Sequence, residues 1–193
     1  MAGRSEVSGE AVPKRADARR NAESVVAAAA AAFVEYGVEA PVRDIAARAG
    51  VGVGTVYRRF PTRADLVVAV YRHQVEACAR AGEELLAGTH DPHDALARWV
   101  DGFVDLLVTK HGLAEALHGD EFETLHAWFL DALLPVCDRL LDAVARADGV
   151  AVPVGSYGFL RGIGNLCIGA GSDVRYDPRA LVALLLAGLR SGR

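Results

Sequence analysis

Apolar positions recur every three or four residues along nearly the whole chain, which is the period of amphipathic helices and not of strands. Over residues 17–36 the pattern predicts one helix, ended by Gly37 and holding the apolar run VVAAAAAAFV at residues 25–34. That run is well short of the ~20 apolar residues a membrane helix needs, and it reads as the buried face of a helix in a chain with no membrane segment. Val42, Ile45, Ala46 and Ala49 then put one apolar stripe on a short helix, with Arg43, Asp44 and Arg48 on its other side. Gly50 follows where a left-handed helix cap favours glycine. A second short helix starts near Gly52 or Val53, is anchored by Val56 and Phe60 at i, i+4, and stops at Pro61. Thr62, with Asp65 three residues on, predicts a capping box that opens a long helix to about Leu86.

Further helices are predicted over residues 92–110, 113–119, 121–147 (interrupted by Pro135), 154–169 and 178–189, separated by breaks such as Gly88 to Pro92 and Gly149 to Pro153. Gly112 ends the first of these, and a loop with Gly171, Asp173 and Asp177 precedes the last. No stretch alternates as a strand would, and no internal repeat is visible. The predicted fold is all-α. It comprises a disordered basic tail over residues 1–16, a three-helix unit over 17–61 and a helical bundle over 62–193, about nine helices in total.

The two short helices of residues 42–60 are laid out as a helix-turn-helix, whose second helix enters the DNA major groove. Val53, Gly54 and Arg58 are candidates for base edges. Val53 is suited to a thymine methyl, and Arg58 to a bidentate grip on guanine. Gly52 and Gly54 would let the backbone approach DNA closely, at a cost in helix propensity. Arg43, Thr55 and Tyr57 are phosphate candidates, and Arg59 is either a phosphate contact or a structural partner. Lys14, Arg15, Arg19 and Arg20 form a basic cluster with two readings open, phosphate or minor-groove contact and a solvated tail.

The segment IAARAGVGVGTVYRRFPTRADL resembles the DNA-binding signature of the TetR family of bacterial transcriptional repressors. The resemblance rests on Ile45-Ala46, Ala49-Gly50-Val51, Gly54-Thr55-Val56-Tyr57, Phe60 and Leu66. Phe33 and Gly37 extend it upstream, so that it covers residues 17–72. One departure is Pro41, where the family often has a threonine that caps the helix and contacts phosphate. Arg63 stands where the family often has a basic residue, which makes it another phosphate candidate. The resemblance implies a regulator that binds a palindromic operator in double-stranded DNA as a homodimer. It also implies a helical C-terminal domain that binds an unknown small-molecule effector and releases the operator. The alternatives are a ligand-independent dimeric DNA-binding or protein-interaction module, and an activator.

In the C-terminal part, aromatic residues from several helices suit a ligand pocket: Trp99, Phe103, Phe122, Leu125, Phe129 and Tyr157, with His126 and Asn165 as polar handles. The same rings at helical spacing would equally serve as core. For the dimer, Gly155, Gly158, Gly162, Gly164 and Gly169 permit close helix approach. Leu160, Ile163, Leu166, Ile168, Leu181, Leu184, Leu185 and Leu189 supply apolar surface for a bundle of paired helices across a twofold.

Charge and chemistry narrow the choice. The net charge is −4, but residues 1–60 carry nine basic and seven acidic residues while the rest carries 12 and 18. A basic head on an acidic body suits DNA contact at one end. Cys78, Cys137 and Cys167 are odd in number and far apart, which suits buried thiols in a reducing cytoplasm. His111, His118 and His126 have no paired spacing for a metal, and no nucleophile elbow or phosphate loop points to an enzyme. No cofactor or metal is expected.

Overall fold

The computed structural model describes residues 11–109, 120–168 and 175–191. The fold is all-α, with eight helices among the described residues. They are α1 (Ala11–Tyr36), α2 (Val42–Ala49), α3 (Val53–Arg59), α4 (Arg63–Gly88), α5 (Pro92–Thr109), α6 (Asp120–Asp148), α7 (Ser156–Leu166) and α8 (Pro178–Ser191). The ninth predicted segment, residues 113–119, lies outside the described residues, as do Gly112, His111, His118, Gly169, Gly171 and Asp173. The chain divides into two compact units, Met1–Val70 and Tyr71–Arg193, with the division inside α4. They are called the head and the body below.

The head is built from small residues. Ala29, Ala32, Ala40 and Ala46 are essentially without exposed surface and surround Ile45, Val56, Leu66 and Val70. Small side chains let α1 and α2 cross closely, and Ile45 and Val56 fill the space between them. Gly50 ends α2 in the left-handed conformation at φ 68°, and the Val51 amide donates to the Ala46 carbonyl at 3.0 Å. That is the cap the sequence predicts. Pro41 precedes α2 as its N-cap residue and makes no side-chain cap bond, while its carbonyl takes the Asp44 amide at 3.0 Å. Thr62 and Asp65 form a reciprocal capping box ahead of α4. The Asp65 amide donates to Thr62 Oγ1 at 3.1 Å, and the Thr62 amide to the Asp65 carboxylate at 2.9 Å. Helix α1 begins at Ala11, earlier than the predicted residue 17, and Pro13 falls in its first turn, where a missing N–H removes no helical bond.

The body is built from large residues. Trp99, Phe103, Leu96, Leu133, Leu140 and Ile163 are fully buried. A Cβ on Gly82 would lie 2.2 Å from Val136 Cγ1 and 2.9 Å from Trp99 Nε1, so only glycine lets α4 pack this closely on α5 and α6. The Trp99 indole N–H donates to the Cys78 carbonyl at 3.0 Å, satisfying a polar atom in the core. His93, early in α5, meets Asp148 at the end of α6 at 2.9 Å, and Arg179 of α8 binds both Asp101 and Asp105 of α5. Asp177 caps α8 by accepting the Arg179 amide at 2.9 Å, with Pro178 as the first helical residue. Helix α6 runs on through Pro135, which has no N–H to give to the helix at that point. The proline is exposed. Leu160 and Ile163, predicted as interface surface, are instead core of the body. Burial pushes the Cys78 and Cys137 thiols up to about 12, and raises Cys167 as well, which keeps all three protonated and unreactive.

Candidate nucleic-acid interface and body cavity

Helix α3 has one buried side. Val56 is 1% exposed and Phe60 is half-buried just beyond the helix end. The opposite side is open: Val53 is 40% exposed and Tyr57 52%, with Gly54, Arg58 and Arg59 also exposed. Val53 and Tyr57 thus stand uncovered beside two exposed arginines on one short helix. Thr55 is half-buried, and its Oγ1 accepts a hydrogen bond from Arg58 Nη2 at 3.0 Å, which orients the guanidinium. Gly52 has an ordinary extended backbone at φ −73°, and a Cβ at Gly52 or Gly54 would meet nothing within 4 Å. Neither turn geometry nor packing within the head requires glycine at these positions.

The other candidate cations divide into two kinds. Arg43 is exposed and pairs with its neighbour Asp44 at 3.2 Å. Arg19 and Arg20 are exposed on α1 and pair along the helix with Glu23 and Asp17. Arg63 differs: it is partly buried, and Nη1 and Nη2 both donate to the Ala40 carbonyl at 2.7 Å. It pins the start of α4 to the residue before Pro41. Arg48, not singled out from sequence, performs a similar task. It binds Glu35 at 2.5 Å and lies over the Tyr36 ring at 5.6 Å, fastening α2 to the end of α1. Hydrogen bonds from Tyr36 and Arg48 hold the Glu35 carboxyl below its ordinary range.

A cavity of about 500 Å³ in the body opens to solvent, with Tyr157, Arg161, Asn165 and Ile168 of its lining exposed. Helices α5 and α6 contribute Phe103, Leu107, Phe122, His126, Phe129 and Leu130 to its lining. Helix α7 and the turn after it contribute Tyr157, Leu160, Arg161, Gly164, Asn165, Cys167 and Ile168. Six of the eight residues predicted for a pocket therefore meet at one cavity. Trp99 and Leu125 do not line it; both are buried in the core. The rings form a continuous series. Phe122 to His126, His126 to Phe129 and Phe129 to Phe103 are separated by 6.2, 5.8 and 6.1 Å between centroids. The series extends inward to α4 on two paths. Phe103 stacks on Trp99 at 5.9 Å, and Phe129 on Tyr71 at 6.1 Å. Burial raises the Tyr71 phenol above its ordinary range. Tyr157, Arg161 and Asn165 share one face of α7 by their four-residue spacing. Arg161 was missed from sequence because it is an isolated arginine between apolar residues.

Of the candidate dimer residues, Gly158 is exposed, Gly162 and Leu166 are half-buried, and Leu181 is 38% exposed with Leu185 half-buried beside it. Leu184 is 70% exposed and Ile168 73%, so α8 and the end of α7 carry apolar surface that the body leaves uncovered. Among the described residues no helix is long and apolar enough to cross a membrane, and no group of three or more His, Cys, Asp or Glu could hold a metal ion.

Residues 25–70 match the family model described as bacterial regulatory proteins, tetR family. Among solved structures, a TetR transcriptional regulator, SCO0520, from Streptomyces coelicolor is 31% identical, with 87% of this chain and 97% of that one covered and a TM-score of 0.73. A TetR transcription regulatory protein from Mycobacterium vanbaalenii is 33% identical over 91% and 98% of the two chains, with a TM-score of 0.69. The TetR-like regulator LfrR from Mycobacterium smegmatis, solved in complex with proflavine, is 27% identical over 91% and 97%, with a TM-score of 0.58. The comparison with curated proteins returned no match.

Proposed function

The chain belongs to the TetR family of bacterial regulatory proteins, which are DNA-binding transcriptional regulators, and from that premise we propose that it is a cytoplasmic, homodimeric repressor released from its operator by a small molecule. The observation that carries this reading is the cavity of about 500 Å³, whose wall ring Phe129 stacks on Tyr71 of α4 and whose wall ring Phe103 stacks on Trp99, bonded to the Cys78 carbonyl of α4. The complex of LfrR with proflavine supports it, because a relative of similar fold takes an organic ligand.

At the head, Val53, Gly54 and Arg58 read base edges, while Arg43, Thr55, Tyr57 and Arg59 hold the backbone in register. The bare backbone at Gly52 and Gly54 admits close approach of the duplex. Arg19 and Arg20 add non-specific attraction and salt dependence. Arg63 acts by holding the head together, with its guanidinium already on Ala40. Two heads are needed for a palindrome, with half-sites about 34 Å apart. Apolar surface at Ile168, Leu181, Leu184 and Leu185, with the small residues Gly158 and Gly162, supplies the contact between copies.

Release follows from linkage. A ligand lowers operator affinity only as far as it prefers the conformation that binds DNA poorly. Phe129 stacks on Tyr71 of α4, and Phe103 stacks on Trp99, which holds the Cys78 carbonyl of the same helix. A ligand that shifts these rings acts on α4, the helix that begins at Arg63 in the head.

The test is operator selection from random duplex DNA, followed by a small-molecule screen for release measured by fluorescence anisotropy. A palindromic site and a compound that weakens binding to it support the proposal. Binding that no cavity ligand alters, with ligand occupancy established by calorimetry, contradicts the effector half and favours a ligand-independent regulator.

A further inference from the structure

The cavity lining is of two kinds. From α5 and α6 it receives rings and aliphatic chains. Phe122, His126, Phe129 and Phe103 stand in series, with successive interplanar angles of 3°, 16° and 28°. Rings so nearly parallel favour a flat ligand that adds to the series with its own plane parallel to theirs. A saturated chain gains no such contacts. From α7 the cavity receives Tyr157, Arg161 and Asn165 on one helical face. Arg161 is the one side chain of fixed charge among the described lining residues, and they include no carboxylate. Among the described residues no ion pair engages its guanidinium, and unlike the other arginines of the body it lines the cavity. A fork of N–H donors at the edge of an apolar ring-lined cavity matches a carboxylate.

We infer that the ligand of this cavity is a flat, largely apolar anion, an aryl carboxylate in chemical class, with its ring system along Phe122, His126 and Phe129 and its carboxylate on Arg161 and Asn165. This rests on the reading of the cavity as the effector site and adds the charge and shape of what enters it.

The test measures binding of four probes by calorimetry to the full chain and to Arg161→Gln: 2-naphthoate, the neutral 2-naphthamide, the cationic 2-naphthylmethylammonium and the saturated carboxylate decanoate. Naphthoate is expected to bind tightest, with the amide about tenfold weaker and the ammonium weaker still, the ratio set by one charge-assisted contact at an exposed margin. Arg161→Gln should bring naphthoate to the level of the amide and leave the amide unchanged. Because Arg161 is exposed, its loss does not threaten folding, and equal melting temperatures of the two proteins check this. The inference is overturned if the ammonium binds as tightly as naphthoate, if Arg161→Gln leaves naphthoate untouched, if decanoate binds more tightly, or if no probe binds at millimolar concentration. Operator affinity measured in the same samples separates the two levels. Naphthoate that binds through Arg161 without changing operator affinity defeats the effector reading alone. A cation or an alkyl chain that binds and releases DNA defeats the ligand class alone.

Discussion

In the head, the residues that hold the fold and those that face outward are different. Ala29, Ala32, Ile45, Ala46 and Val56 make the core, while Val53, Tyr57, Arg58 and Arg59 carry almost no structural duty. In the body the two groups overlap. Phe103 and Phe129 are core residues at 1% and 4% exposure, and they are also wall of the cavity. A head substitution can therefore remove function and leave stability intact, whereas a substitution deep in the body changes both. The contrast teaches that an exposed helix face and a cavity walled partly by core residues impose different constraints on the same kind of helix.

The comparison yields a graded set of outcomes. The largest effect belongs to the body core: Trp99→Ala should lower stability by about 3–5 kcal/mol, because it empties a fully buried site. Chemical denaturation measures this, and a loss under 1 kcal/mol would mean that the ring series is not the framework of the body. Next is Arg58→Ala, expected to cost about 1–3 kcal/mol in operator affinity at a cognate guanine, with an unchanged melting temperature. Anisotropy on the operator and on single-base variants reads it, and a uniform loss across all sequences would make Arg58 a phosphate contact. Gly54→Ala should separate the two roles most clearly. It raises helix propensity by up to about 1 kcal/mol and lowers DNA affinity, since nothing within the head obstructs the methyl group but a duplex would. Tighter operator binding by this variant would remove the case for close backbone approach.

The smallest effect is at the cap of α4. The Thr62 hydroxyl, and after it the Thr62 amide, hold the Asp65 carboxyl below its ordinary value of 3.8. The folded form thus prefers the charged carboxylate. The stabilisation is complete above the ordinary value and is lost as pH falls through the lowered one. Asp65→Asn should flatten the acid limb of the thermal stability profile of the head slightly, and an unchanged profile would mean that the capping box adds nothing there.

How much was legible in the sequence follows the same division. The head was readable almost residue by residue: Gly50 as a left-handed cap, Val56 as anchor, Thr62 with Asp65 as a capping box. Each is a local rule with a short reach along the chain, and so is the signature carried by the two short helices. Arg63 was not readable in this way, because its partner is the Ala40 carbonyl, 23 residues away, and a basic residue near a recognition helix looks the same whether it meets phosphate or protein. In the body, helical periodicity identified the apolar rings but not their depth. Trp99 and Phe103 lie one turn apart on α5, yet only Phe103 reaches the cavity. Leu160 and Ile163 looked like interface surface for the same reason, since periodicity names a face and not what covers it. Arg161 left no signal because a lone arginine acquires meaning only from the rings opposite it.

The proposed division between a head that reads DNA and a body that binds ligand is tested most directly by operator affinity measured for Arg58→Ala and Arg161→Gln side by side, with and without 2-naphthoate. The predicted result is that Arg58→Ala loses sequence discrimination yet binds naphthoate as the wild type does, while Arg161→Gln binds the operator normally and no longer responds to naphthoate. Normal sequence discrimination in Arg58→Ala, or impaired operator binding by unliganded Arg161→Gln, would contradict it.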